Sequence, residues 1–246
     1  MSDIHYANPK LTDVVARIDY THPIKQIATG LSKDLQKALY GRFPILEPLE
    51  EEPLTTDPGA SWVRVREYRY FSKNKQKRFI LSPQHAFLEY KKYDSYETLK
   101  SDFLGILGPL FASCPELMVR RFGLRYVNQF DMEGEGDVTD WNSYIKPSCL
   151  GFMSAIPDDT KLFLTKAIQN VSWAYDDYNM NCNFGLHNPD FPATLRRKIF
   201  VLDLDAYVQG ALELDDIKEK LDVFHQKIQE LFEDSITEEL RKVISV

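Results

Sequence analysis

Two arginines flank a glycine in LMVRRFGLRYVNQFDM, residues 117–132. Read as one long strand, this stretch alternates with period two. Phe122, Leu124, Tyr126 and Phe130 share an apolar face, while Val119, Arg121, Gly123, Arg125, Val127 and Gln129 share the other. The two arginines lie four positions apart, about 13 Å along an extended chain. A glycine between them removes a side chain and lets a ligand or another backbone come close. Guanidinium forks match phosphate and carboxylate oxygens, so the chemistry on offer is anion binding. The plainer alternative, and the favoured one, pairs both arginines with carboxylates of neighbouring strands such as Glu67, Glu89, Asp203 or Asp205.

Asp203 and Asp205 stand two apart on a strand and so share a face, opposite Leu202 and Leu204. Two carboxylates could hold a divalent cation with further oxygen ligands. No histidine or third carboxylate sits at a convincing spacing, so pairing with the arginines is the stronger expectation. A third candidate is Trp62–Tyr70, WVRVREYRY, where Trp62, Arg64, Arg66, Tyr68 and Tyr70 fall on one strand face. Rings interleaved with arginines can stack the bases of single-stranded nucleic acid. Arginine stems also cover rings on ordinary exposed sheets, and the formal net charge of −7 favours that duller outcome. Under the anion-binding alternative, Arg121, Arg125, Arg64 and Arg66 would hold phosphates and Asp203 with Asp205 a metal. The activity would then be phosphate-ester or phosphoanhydride hydrolysis.

The remaining chemistry-bearing residues form no pattern. His5, His22, His85, His187 and His225 lack metal-ligand spacing. No phosphate loop, dinucleotide fingerprint or nucleophile elbow occurs. Cys114, Cys149 and Cys182 are odd in number and scattered, which fits a reducing cytoplasm better than a disulfide framework. The first residues lack the parts of a signal peptide. The longest apolar stretch, 103–112, is far too short for a membrane span. No cofactor is implied outside the metal of the alternative reading.

The elements that must position these groups come in runs. A strand is expected over 13–20, then a helix over 24–40 with Ile27, Leu31, Leu35 and Leu39 on one stripe and Gly41 as its stop. A proline-rich acidic loop spans 44–60. Strands over 62–71, 77–81 and 85–91 form a meander, and Ser95 caps a helix reaching about Phe111. After the long central strand, Gly134–Asp137 breaks the chain. A short helix over 141–150, strands over 161–175, 180–186 and 195–207, and a helix over 214–232 complete the order. Leu214, Ile217, Leu221, Phe224, Ile228 and Leu231 give that last helix a heptad-like seam, which lies on the sheet or pairs with its copy in a dimer. Thr237 can cap a final short helix. Strands in runs with few helices between them predict a single α+β domain over 1–246, in two halves joined near 133–140. Its large, mostly antiparallel sheet should be strongly curved, a partial barrel at the extreme, with helices packed on one face.

At Arg121–Asn128, RFGLRYVN, the chain resembles a sporadically distributed, uncharacterised prokaryotic family of about this length. Val15–Tyr20 with Pro23-Ile24, and Trp141 with Tyr144-Ile145, support the likeness. The resemblance implies a bacterial or archaeal cytoplasmic protein and carries over no catalytic residue. Sporadic occurrence suits genes of phage defence or toxin control. An acidic, motif-poor, strand-rich chain with a long loop and a seam-bearing helix points first to a non-enzymatic binding or adaptor module. It would engage a protein partner, in that setting the effector of such an operon, through its curved sheet and the acidic 44–60 loop. Phosphorylated-ligand binding or hydrolysis is the alternative and an RNA-binding sheet a third.

Overall fold

The computed structural model describes residues 6–47, 52–54, 63–65, 67–132 and 136–245. Its elements, in chain order, are β1 (Leu11–Tyr20), α1 (Lys25–Thr29), α2 (Lys33–Arg42), β2 (Ile45–Glu47), β3 (Glu52–Leu54), β4 (Val63–Val65), β5 (Tyr68–Phe71), β6 (Lys77–Leu81) and β7 (His85–Tyr90). They continue with α3 (Tyr96–Ser113), β8 (Val119–Asp131), α4 (Pro147–Leu150), α5 (Asp158–Lys161), β9 (Ala167–Ala174), β10 (Asn179–Leu186), β11 (Ile199–Leu212), α6 (Leu214–Ser235) and α7 (Glu238–Ile244). Nine strands form one sheet in the order β2-β5-β6-β7-β1-β8-β11-β10-β9, and β3 pairs with β4 apart from it. Helices and a large antiparallel sheet make the chain α+β, as the strand runs imply. The linear order ends at β2 and β9, so the sheet does not close into a barrel.

The chain divides into two compact units, one holding residues 6–13, 125–206 and 224–245, the other 14–124 and 207–223. In the second unit the meander β5-β6-β7 adds β1 at the register Arg17↔Phe87. Phe103 of α3 stacks on Phe122 at 6.0 Å between ring centroids, so the helix covers the apolar face of β8. Tyr96 donates to Asp222, and Lys100 pairs with the same carboxylate at 2.6 Å. In the first unit Tyr126 and Phe130 of β8 face α6 through His225 and Phe232. Trp141, wholly buried, lies 5.3 Å from the ring of Phe200. Phe122, Leu124, Tyr126 and Phe130 are all buried, as the alternation requires. The α6 seam at Ile217, Leu221, Phe224 and Ile228 is buried within the chain as well. Leu214 and Leu231 of the same seam are half-buried.

Several boundaries differ from the sequence pattern. The helix expected over 24–40 breaks at Gly30, whose φ of +148° no helix accepts, and restarts where Ser32 Oγ accepts from Leu35 N–H. It then runs past Gly41 to Arg42. The single strand expected over 62–71 is two, β4 and β5, in different sheets. The strand expected from 161 begins at Ala167, because residues 158–161 coil into α5 first. Residues 141–145 turn without forming a helix, so the one expected from 141 starts at Pro147, whose ring suits a first helical position. Thr237 caps α7 as expected, its Oγ1 accepting from Leu240 N–H at 3.4 Å. Most of the 44–60 loop lies outside the described residues, but β2 and β3 place short strands within it.

Candidate functional site

Arg121 and Arg125 of β8 both meet carboxylates. In the first unit Arg125 Nε donates to Asp203 Oδ1 and Nη2 to Oδ2, each at 2.7 Å, a bidentate fork. Asp203 is buried, whereas the Arg125 side chain is 49% exposed. Hydrogen bonding to Asp203 pushes the Arg125 guanidinium further up, against the opposing effect of its partial burial. Asn183 Nδ2 donates to Asp203 Oδ2 at 3.3 Å, and Asn170 Nδ2 donates to Asn183 Oδ1. A hydrogen-bonded row thus crosses β8, β11, β10 and β9 as Arg125–Asp203–Asn183–Asn170. Beside it Ser172 Oγ donates to Asn181 Oδ1 at 2.7 Å. Period-two placement puts these polar side chains on one face of adjacent strands.

In the second unit Arg121 Nη1 lies 4.0 Å from Asp19 Oδ2, and its guanidinium sits over the Tyr207 ring at 4.7 Å from the centroid. Asp19, itself buried, also accepts from Arg17 Nη2 at 2.7 Å. Gly123 has its use here. A Cβ at that position would stand 2.9 Å from Arg121 Nη1, so the guanidinium of the same strand fills the space the glycine leaves.

The expected phosphate-holding pair is therefore laid out as two ion pairs, one in each unit. Asp203 has both oxygens engaged by Arg125 and Asn183, and among the described residues no group of three or more His, Cys, Asp and Glu is placed to hold a metal ion. Asp205 contributes to the field that raises Arg125. Arg66 and the side chain of Arg64 lie outside the described residues.

Sequence reasoning missed two features. One is a cavity of about 240 Å³ in the second unit, lined by Gln26, Ile27, Leu31, Ser32, Leu35 and Cys114 among others. Burial pushes the Cys114 thiol up to about 11, which makes it a poor nucleophile. The other is a set of bare apolar side chains in the first unit: Phe152, Leu162, Phe163 and Phe191, between 61% and 77% exposed. Hydrogen bonds hold the segments next to them. Leu195 N–H donates to Leu164 O at 2.8 Å, Asn188 Nδ2 to Thr165 O at 2.9 Å, and Gln169 Nε2 to Leu150 O at 3.1 Å. Lys166 Nζ lies 6.0 Å from the centre of the Phe191 ring. Phe152 lies in a single 3-10 turn, Gly151–Ala155, and the other three lie in connecting segments, so no amphipathic helix or strand pattern could announce them. No protein-family model matches the chain, and no curated protein does either. No described helix is long and apolar enough to cross a membrane.

Proposed function

We propose that this protein is a non-enzymatic binding module that engages a protein partner through its first unit. One observation carries the reading: Phe152, Leu162, Phe163 and Phe191 stand largely in solvent around the start of β9. Four large apolar side chains on neighbouring segments are costly to leave wet, at about 25 cal/mol per Å² of apolar area. Grouped exposure of this kind marks surfaces that another macromolecule covers, and aromatic anchors dominate such contacts. The phosphate-binding alternative is less favoured, because Arg121 and Arg125 each already face a buried carboxylate. The proposal extends to setting, a prokaryotic cytoplasmic protein serving a defence or toxin-control operon, on the strength of the RFGLRYVN resemblance alone.

The test is co-purification with the products of adjacent genes, comparing the natural chain with a Leu162→Ser, Phe163→Ser, Phe191→Ser triple variant. The natural chain should hold one of those products in a stoichiometric complex. The triple variant should lose it while keeping its melting temperature. Equal retention by both, or no complex with either, overturns the reading. Thermal-shift screening with nucleotides, with and without magnesium, covers the alternative. A shift removed by Arg125→Ala would transfer the function to the arginine row.

A further inference from the structure

We propose that β9 pairs with β9 of a second copy of this chain, antiparallel about a two-fold axis, with Val171 against Val171. The inference stands on the open edge of the sheet and not on the apolar patch.

Strand β9, AIQNVSWA, ends the strand order, and among the described residues no strand pairs with its outer side. It is eight residues long and carries no charge and no proline. Edge strands of monomers are normally blunted by a charge, a proline, a bulge or shortness. β9 has none of the first two, is not short, and keeps an unbroken register with β10 from Ala167↔Leu186 to Ala174↔Asn179.

The register fixes which backbone groups are available. Tyr175 N–H donates to Tyr178 O at 2.8 Å, closing the β9–β10 hairpin through Asp176-Asp177. Hydrogen-bonded pairs alternate along an antiparallel ladder. Residues 173, 171, 169 and 167 therefore bond to β10, and 168, 170, 172 and 174 turn their N–H and C=O to the open edge. Ile168, Asn170, Ser172 and Ala174 are all exposed.

A two-fold axis normal to the sheet keeps side chains on their own faces only if opposed residue numbers sum to an even value. The sum 342 satisfies this and overlaps nearly the whole strand. It forms hydrogen-bonded pairs 168↔174 and 170↔172, twice each by symmetry. On the other face it sets Val171 on Val171 at the centre, with Trp173 against Gln169 on either side. β-Branched and aromatic cross-strand neighbours of this kind stabilise antiparallel pairs. Just beyond each end of the paired strands it brings Lys166, which precedes β9, toward Asp176, which opens the β9–β10 turn. Both are exposed, and neither makes an ion pair among the described residues. Shifting the register by two separates those charges; at 340 the overlap stays seven residues long but one hydrogen-bonded pair is lost, and at 344 the overlap shrinks to five residues. Charge complementarity thus selects one arrangement and selects a second copy as the occupant.

The experiment is sedimentation equilibrium on the purified chain, with melting temperature measured alongside. The natural chain should dimerise. Ser172→Pro removes an outward N–H that β10 does not use, and should weaken dimerisation about a hundredfold or more. Ser172→Ala loses the same hydroxyl contact to Asn181 and should dimerise normally. Lys166→Glu should weaken association about tenfold, and Lys166→Glu with Asp176→Lys should restore it. A chain that stays monomeric at millimolar concentration overturns the proposal. So does a dimer that Ser172→Pro and Lys166→Glu both leave intact, and so does a failure of the charge swap to rescue. Because no other protein is present, the outcome does not depend on whether the Phe163 patch binds a partner.

Discussion

Asp203 is the residue whose environment constrains it most. It is buried, accepts two bonds from Arg125 and a third from Asn183, and would be left without its cation if Arg125 were lost. Removing one member of such a pair strands the other, whereas removing both does not. Because the Arg125 side chain is half exposed, water screens the loss. Arg125→Ala should cost about 2 kcal/mol in urea unfolding at pH 7, and Arg125→Ala with Asp203→Asn together less than the sum of the single changes. His85 offers a test by pH. Burial, then the charge of Arg17, lowers its pKa below the ordinary value of 6.5. The folded state therefore disfavours the proton that the unfolded chain takes up. The stabilising contribution is complete above pH 6.5 and is lost as pH falls from there toward the lowered folded value. His85→Gln should flatten the decline of melting temperature between pH 7 and pH 5. A slope unchanged in that variant would show that carboxylates alone carry it. Thiol reactivity follows burial too. Burial raises Cys182 to about 12 and Cys114 to about 11, whereas Cys149 is half-exposed. A native Ellman titration should modify Cys149 first and reach the other two only on unfolding.

At the level of elements, β9 hangs on how closely β10 approaches it. Gly185 has φ +147°, and a Cβ there would fall 2.0 Å from the carbonyl oxygen of Ala167. Backbone cannot yield as a flexible side chain does, so Gly185→Ala combines strain with a clash. It should cost about 3 kcal/mol, and amide exchange along 167–174 should quicken first. Ser32→Ala, by contrast, removes only the cap of α2 and should cost about 1 kcal/mol. These elements also mark how far the sequence could be read. The face of β8 carrying Phe122, Leu124, Tyr126 and Phe130 was legible, because alternation and burial report the same physical constraint. The α6 seam and the caps at Ser95 and Thr237 were legible for the same local reason. The break at Gly30 was not, because the stripe of Ile27, Leu31, Leu35 and Leu39 continues through a residue whose backbone departs from helix. Nor was the division into two units, because its boundaries fall inside the elements β1, β8, β11 and α6 and not in a break of the chain. At the site, the sequence named Arg121, Arg125 and Asp203, and it placed Asp203 among four carboxylates, Glu67, Glu89, Asp203 and Asp205, that could meet either arginine. Which carboxylate meets which arginine depends on strand order, and strand order is a long-range property. The exposed phenylalanines sit in a single 3-10 turn and in connecting segments, too short for burial to set up a period.

For the molecule as a whole, net charge and local charge pull self-association in opposite directions, and salt separates them. Each copy carries a formal charge of −7, so two copies repel at low ionic strength. The two Lys166–Asp176 contacts attract, but exposed pairs are worth only about 0.5 kcal/mol each. Screening over a Debye length of about 10 Å at 0.1 M removes long-range repulsion more than it removes contact between opposed side chains and hydrogen-bonded backbone. Added salt should therefore tighten the dimer of the natural chain modestly. Lys166→Glu takes each copy from −7 to −9 and turns both end contacts repulsive, so its defect should shrink as salt rises from 50 to 500 mM. Ser172→Pro leaves the charge at −7 and damages the ladder itself, so its defect should be as large in high salt as in low. Sedimentation at the two ionic strengths reads both. If the two variants respond to salt alike, the edge of β9 is not where the copies meet.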